Sequence, residues 1–192
     1  LNTSFNYIND KFKFDASAEY FLISNHLYFV KNGATGILPA QAASDINLLR
    51  LSVGKRIEIG KFNIDLYAAY QKVSNTNVIL TPELYTFNSI YYKRTFFGFL
   101  KAQIGLDIRY NTPYRAYSYS APASQFYIGD PVTLGTKPVL GLWVKASLRK
   151  ANLFVRYDYL DQGLFNVGHY TTNLYPMGDK SLKFGVLWNF YD

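Results

Sequence analysis

The 192-residue sequence contains no cysteine, one methionine and two histidines. The absence of cysteine excludes a disulfide framework and any thiolate-ligated metal centre. No stretch reaches the roughly 20 consecutive apolar residues that a membrane-spanning helix requires, which excludes a helical membrane protein. Lysine and arginine exceed aspartate and glutamate by 20 to 13. Because these cations are scattered rather than gathered in blocks, we predict no nucleic-acid partner.

Aromatic residues, in contrast, are abundant. The chain has 18 tyrosines and 15 phenylalanines, and hydrophobic residues make up 49% of it. A transmembrane β-barrel predicts this composition, because lipid-facing and lumen-facing residues alternate and no window becomes strongly apolar.

The last segment, residues 181–192, alternates without a break between apolar and mixed positions. The residues of one face are Leu182, Phe184, Val186, Trp188 and Phe190. Since successive side chains of a strand point to opposite faces, this pattern predicts a strand with one apolar face. An aromatic-rich strand at this place is typical of the final strand of an outer-membrane barrel, which is the signal for the barrel assembly machinery.

Eight further segments repeat the pattern, and most approach the roughly 9–11 residues that a tilted strand needs to cross hydrocarbon. They are residues 3–8, 12–22, 49–59, 62–71, 89–97, 100–110, 140–149 and 152–159. In 49–59, Lys55 falls on the apolar face, so either its side chain reaches an interface or a bulge shifts the register. In 89–97 the phase is ambiguous, since Tyr91 and Lys93 compete with Tyr92 and Arg94.

The predicted connections alternate between short and long, as the turns and loops of bacterial outer-membrane barrels do. The long ones are residues 31–45, 75–88, 111–138 and 163–180. Single-chain barrels have an even number of strands, whereas we count about nine crossings. The prediction is therefore an all-β, antiparallel transmembrane β-barrel segment: a single domain over 1–192 with about nine or ten strands, forming the C-terminal portion of a larger barrel. Its first and last strands should not pair with each other.

The second half of the sequence resembles the putative porin family of Bacteroidetes-type outer membranes. The stretches that carry the resemblance are residues 103–112, Pro122 with residues 125–127, residues 175–176 and residues 184–192; residues 70–71 and the region of Pro82 are also similar. The resemblance implies a barrel longer than this chain and a location in the bacterial outer membrane. The resemblance implies less about which solute the barrel would carry.

The polar face of the predicted strands is the candidate functional surface. Its charged residues, taken as pore-lining, are Arg50, Asp65, Lys101, Asp107, Arg109, Lys145, Arg149, Arg156, Asp158 and Lys183. Such a lining would sort solutes by charge and size. Alternatively, the same charges pair across strands and satisfy one another. The sequence leaves both interpretations open.

The segment 111–138 is the candidate constriction loop. Its aromatic residues are Tyr114, Tyr117, Tyr119, Phe126 and Tyr127. Loops of this length are usually functional or disordered, and so large an aromatic surface would either fold into the lumen or form a β-extension of the flanking strands.

No catalytic, metal or cofactor site is predicted. His26 and His169 are not brought together by any pattern, and the adjacent Ser24, Asn25 and His26 alternate in direction on a strand. The polar face carries too much charge for the dry core of a soluble lipid-binding barrel.

Two functions therefore remain. The first is a channel in the outer membrane for passive diffusion of small polar solutes. The second is a plugged barrel that acts as scaffold or anchor in a surface or secretion complex. The partners expected are outer-membrane lipid, the barrel assembly machinery and the solutes, and the sequence is compatible with an oligomer.

Overall fold

The computed structural model describes residues 1–33, 36–164 and 168–190. These residues form strands and turns, and among them no helix is long and apolar enough to cross a membrane. The strands are β1 (Asn2–Asn9), β2 (Phe14–Ile23), β3 (Leu27–Asn32), β4 (Gly36–Gln41), β5 (Ile46–Ile59), β6 (Phe62–Val73), β7 (Leu84–Phe96), β8 (Leu100–Asn111), β9 (Tyr114–Arg115), β10 (Ser118–Ser120), β11 (Gln125–Tyr127), β12 (Thr133–Leu134), β13 (Val139–Ser147), β14 (Ala151–Asp158), β15 (Tyr170–Thr172), β16 (Tyr175–Pro176) and β17 (Ser181–Trp188).

One nine-stranded sheet dominates the described residues, in the order β1-β2-β5-β6-β7-β8-β13-β14-β17. Every neighbouring pair in it is antiparallel. Each of the nine segments predicted from alternation corresponds to one of these strands, so the all-β, antiparallel prediction is confirmed. The bounds differ by a few residues. β17 ends at Trp188, and the last two residues of the predicted segment lie outside the described ones.

The register separates two faces of this sheet. Cross-strand partners point to the same side, and the pairing of Ile104 with Val144 and of Leu153 with Val186 continues one apolar face across four strands. The predicted division is confirmed. Ile104, Leu106, Val144, Leu153 and Val186 share this apolar face, and the opposite, polar face carries Lys101, Asp107, Lys145, Arg156 and Lys183.

Both ambiguities of the sequence are resolved by the register. In β7, Lys93 pairs with Gln103 and therefore lies on the polar face with Tyr91, whereas Arg94 lies on the apolar face. β5 pairs with both neighbours without a bulge. Lys55 stays on the apolar face near the end of its strand, and its ammonium group donates to the carbonyl of Phe12 in the β1–β2 turn. The register thus excludes the bulge, and a membrane interface at the position of Lys55 stays a prediction.

The sheet is open within the described residues. β1 pairs with β2 alone and β17 with β14 alone, so the first and last strands do not close onto each other, as predicted. The derived statement, that further strands complete a larger barrel, stays a prediction.

The two ends of the sheet differ in the length of the connections between the strands. The short-turn end holds residues 10–13, 60–61, 97–99 and 148–150. The long-loop end holds residues 24–45, 74–83, 112–138 and 159–180, within which eight strands pair into four two-stranded sheets. A small apolar cluster lies at the long-loop end, where Val78 of the 74–83 segment packs against Ile46 and Val73.

Candidate functional site

Side chains on the polar face are crowded, whereas those on the apolar face are not. Asp107 and Trp143 are 5% and 7% exposed, while Ile104 and Val144 are 49% and 40% exposed. Side chains converge on the concave side of a curved sheet and diverge on its convex side, as in barrels. The polar face is therefore the concave one.

Asp107 on β8 is the centre of a hydrogen-bonded network on this face. Its Oδ1 accepts from Ser89 Oγ at 2.6 Å and from Trp143 Nε1 at 2.8 Å. Its Oδ2 accepts from Arg156 Nη1 at 2.7 Å. A buried carboxylate is costly unless its oxygens are paired and hydrogen-bonded, and here both are.

Arg156 extends the network across an intervening strand. It lies on β14 and reaches Asp107 over β13, where Gly141 leaves the space: a Cβ at this position would lie 3.1 Å from Arg156 Nη2. Its Nε also donates to Asp158 Oδ1 at 2.5 Å. Lys183 on β17 donates to Asp158 Oδ2 at 2.7 Å. The network thus joins β7, β8, β13, β14 and β17.

Further ion pairs continue across the rest of the polar face. Arg56 forms a bidentate pair with Asp65, with Nε–Oδ1 and Nη2–Oδ2 distances of 2.7 and 3.0 Å. Arg50 lies 3.7 Å from Glu19. Glu58 binds Lys13, and its other oxygen lies 3.5 Å from Lys93. Cross-strand pairing, one of the two interpretations left open by the sequence, describes these residues.

Nine of the ten predicted pore-lining residues lie on the polar face. They are Arg50, Asp65, Lys101, Asp107, Arg109, Lys145, Arg156, Asp158 and Lys183. Arg149 does not lie there. β13 ends at Ser147, so Arg149 is an exposed residue of the β13–β14 turn. The alternation of the sequence continued past the point where the strand turns. The predicted placement of Arg149 among the pore-lining residues was therefore wrong.

The prediction failed to place three polar-face charges: Arg56, Glu58 and Lys93. Arg56 and Glu58 alternate with Ile57 and Ile59 in β5, a signal that was present in the sequence. Lys93 could not be assigned because the phase of its strand was ambiguous.

Three cations on the polar face have no carboxylate partner in the described part of the chain. They are Lys101, Arg109 and Lys145. Lys145 instead lies over the ring of Trp143, with Nζ 4.6 Å from its centroid. A cleft of about 510 Å³ beside them is lined by Arg56, Asp65, Lys93, Lys145 and Arg156 among others. Asp15, on the same face, likewise has no cation partner in the described residues. The strands thus place eight cations and six acids on the polar face, which carries a net positive charge.

The aromatic residues of 111–138 hold the long loops to one another. Tyr117 Oη donates to the carbonyl of Val78 at 3.1 Å and accepts from the amide of Leu80 at 3.1 Å. Tyr114 Oη donates to the carbonyl of Thr171 at 3.1 Å, and burial raises the pKa of Tyr114.

The tip of this segment is a hairpin of β10 and β11. Tyr119 packs on Phe126 and, edge to face, on Tyr175, with centroid distances of 5.0 and 5.5 Å. Beyond Tyr127, Asp130 accepts from Lys31 Nζ at 2.9 Å, which raises the pKa of Lys31. The segment is thus a β-extension beyond β8 and β13. Narrowing of a pore by its aromatic residues stays a prediction.

We expect the Tyr117→Phe substitution to loosen the long loops. It removes two hydrogen bonds worth about 1 kcal/mol each, so the local stability of the loops should fall by about 1–2 kcal/mol. Limited proteolysis of the folded protein should then cut faster within residues 74–83 and 112–138. Tyr20→Phe, which removes a hydroxyl bonded to Asn47 between two strands, is the control. Equal cleavage rates in the two variants would contradict the assignment.

The two histidines lie apart, in different loops. His26 stacks on Tyr28. His169 Nε2 lies 2.6 Å from Asp161 Oδ2, and Asp161 Oδ1 accepts from the amide of Leu140 at 2.8 Å, so this pair joins a loop to β13. Within the described ranges no group of three or more His, Asp or Glu side chains could hold a metal ion.

The family model described as putative porin matches residues 1–192, the whole sequence. No curated protein and no solved structure matches significantly.

Proposed function

The chain belongs to the putative porin family, and we propose that it forms part of the wall of an outer-membrane β-barrel through which small polar solutes diffuse passively. Family membership supports a porin-like role in the outer membrane. The channel and its solutes are the proposal.

The observation that carries the proposal is the contrast between the two faces of the nine-stranded sheet. Its convex face exposes large apolar side chains, such as Ile104, Leu142 and Val155, that no part of the described chain covers. Lipid would cover them without the loss of free energy that exposure to water causes. The concave face carries the charged network and would line a water-filled pore.

The two sequence interpretations of the lining are compatible in this geometry. The acids Asp65, Asp107 and Asp158 are each paired with a cation, so they contribute little net field. Lys101, Arg109 and Lys145 are uncompensated by carboxylates in the described residues, and they would raise the local concentration of anions. Screening limits the effect beyond about 8 Å at physiological salt, so the resulting selectivity is weak.

A plugged barrel is the second candidate, and the long loops favour it. Residues 134–137 and 168–171 line a cleft of about 500 Å³ together with Arg109 of the polar face. Val78 covers Ile46 and Val73, which lie at the long-loop end of the same polar face. If these loops close the pore, the barrel would act as a scaffold or anchor.

The same proposal extends to location and partners. The bilayer would be the outer membrane, with the short turns towards the periplasm. β17 offers a strand edge without a partner in the described residues and a row of exposed apolar side chains. These features suit recognition of β17 by the barrel assembly machinery.

We expect the reconstituted protein to conduct ions with a weak preference for anions. In a potassium chloride gradient across a planar bilayer, the reversal potential should give a chloride-to-potassium permeability ratio between one and about ten, that is, less than about 1.4 kcal/mol. Replacing Lys101, Arg109 and Lys145 together with glutamine should bring the ratio to one or below.

The matched control for this measurement is Lys72→Gln. It removes one positive charge from the apolar face, where Lys72 pairs with Leu49, and should leave the ratio unchanged. A clear cation preference of the unmodified protein would contradict the assigned lining. An absence of conductance would favour the plugged scaffold.

A further inference from the structure

The positive charge of the polar face is concentrated in two rows of residues at the short-turn end. The register places Lys93, Gln103, Lys145, Phe154 and Gly185 in one row across β7, β8, β13, β14 and β17. The next row is Thr95, Lys101, Ser147, Asn152 and Leu187. These rows contain three lysines and no acid. We call Lys93, Lys101, Gln103 and Lys145 the basic patch.

The carboxylates nearest to the basic patch are already bound by other cations. Asp107 lies two rows away and binds Arg156 at 2.7 Å. Glu58 is the one carboxylate that approaches, at 3.5 Å from Lys93, and it is shared with Lys13. Lys101 and Lys145 contact no carboxylate in the described ranges.

Neighbouring groups limit where the ammonium groups can lie. Lys145 is held over the ring of Trp143, which in turn packs against Tyr91 with a centroid distance of 5.6 Å. A cleft of about 610 Å³ beside the patch is lined by Lys93, Lys101 and Gln103, and also by Lys61 and Arg94. No acidic residue lines that cleft.

The spacing of the patch suits one ligand. Lys93 and Lys145 flank Gln103 in their row and are two strand spacings, about 9.5 Å, apart, while Lys101 lies two residues, about 7 Å, from Gln103 along β8. Lysine side chains are long enough to span these distances and to converge above the Gln103 carboxamide, with Lys145 leaving the ring of Trp143 on which it lies in the free protein. Each ammonium group offers three hydrogen-bond donors and no acceptor. The carboxamide of Gln103 adds two N–H donors.

We propose that the basic patch is a binding subsite for a soluble multivalent oxyanion of the phosphate type, at the short-turn mouth of the pore. A small anion with several charged oxygens satisfies three ammonium groups at once, which a monovalent halide does not. The inference rests on the proposed function, in that the polar face must be open to water. It adds to that function a class of solute.

The test is calorimetric titration of the detergent-solubilised protein with inorganic pyrophosphate at constant ionic strength, with chloride as the comparison anion. Saturable binding of pyrophosphate is expected, with no saturable binding of chloride. The Lys101→Gln/Lys145→Gln variant should weaken binding at least about tenfold. Lys72→Gln, with its charge on the apolar face at the long-loop end, should bind as the unmodified protein does.

The single variant Lys101→Gln provides a second measurement if the double variant does not fold, because Lys101 is exposed near a strand end. It too should weaken binding. Absence of saturable binding, or equal affinity in Lys101→Gln and Lys72→Gln, would overturn the subsite. Bilayer conductance separates this outcome from failure of the proposed function: binding without conductance removes the channel and keeps the subsite, and anion-selective conductance without binding removes the subsite alone.

Discussion

Arginine in place of Ile104 is expected to lower the free energy of unfolding in a lipid bilayer by about 2–4 kcal/mol. Ile104 lies on the apolar face near the middle of β8, with Tyr92 and Val144 as its cross-strand neighbours. If lipid covers this face, the guanidinium group loses its hydration. The measurement is urea-induced unfolding of the protein refolded in lipid vesicles, followed by tryptophan fluorescence.

Gln103→Arg is the control for this substitution, because Gln103 is adjacent in the same strand but lies on the polar face. It should change stability by less than about 1 kcal/mol. If the two arginine variants are equally stable, the apolar face does not meet lipid, and the proposed orientation of the sheet is wrong.

The Asp107→Ala substitution is expected to destabilise the sheet by about 2–4 kcal/mol. Three donors lose their acceptor: Ser89 Oγ and Trp143 Nε1 in buried positions, and Arg156 Nη1 in a partly buried one. Arg156 keeps its ion pair with Asp158, so the loss of stability should be smaller than for a buried charge without any partner. The same unfolding experiment measures it, and the fluorescence of Trp143 should also shift as its indole loses a partner.

Two further variants test whether the hydrogen-bonded network around Asp107 causes this loss of stability. Asp107→Asn retains acceptor capacity for Ser89 and Trp143 and should cost less than Asp107→Ala. Asp65→Ala removes the carboxylate of a half-exposed ion pair with Arg56 and should cost about 1 kcal/mol or less. If Asp107→Ala proves no more destabilising than Asp65→Ala, the charged network does not hold the strands together.

The nine long strands could be predicted from the sequence because each has one apolar and one polar face, which imposes a period of two. β7 is the instructive exception. It carries tyrosines and cations on both faces, so its own sequence does not fix the phase, and pairing with β6 and β8 does. The sequence left open whether a bulge moves Lys55 off the apolar face, and the continuous pairing of β5 shows that it stays there.

The contacts of the site could not be predicted in the same way. Arg156 and Asp107 are 49 residues apart and lie on strands that do not pair with each other, so no local pattern joins them. The small sheets of the long loops were not predicted strand by strand. In three of them the strands have two or three residues, too short to show a period, and β3 and β4, with six residues each, do not alternate between apolar and polar residues. Arg149 shows the converse error, in which alternation continues through a turn.

Two glycines of the polar face lie beneath large aromatic side chains of the neighbouring strands. A Cβ on Gly105 would lie 2.6 Å from Trp143 Cε2, and one on Gly185 would lie 2.7 Å from Phe154 Cζ. The aromatic rings therefore lie over the backbone of the neighbouring strand instead of projecting towards the axis. If this sheet lines a pore, a cross-section calculated from residue volumes alone would be too small at these two positions.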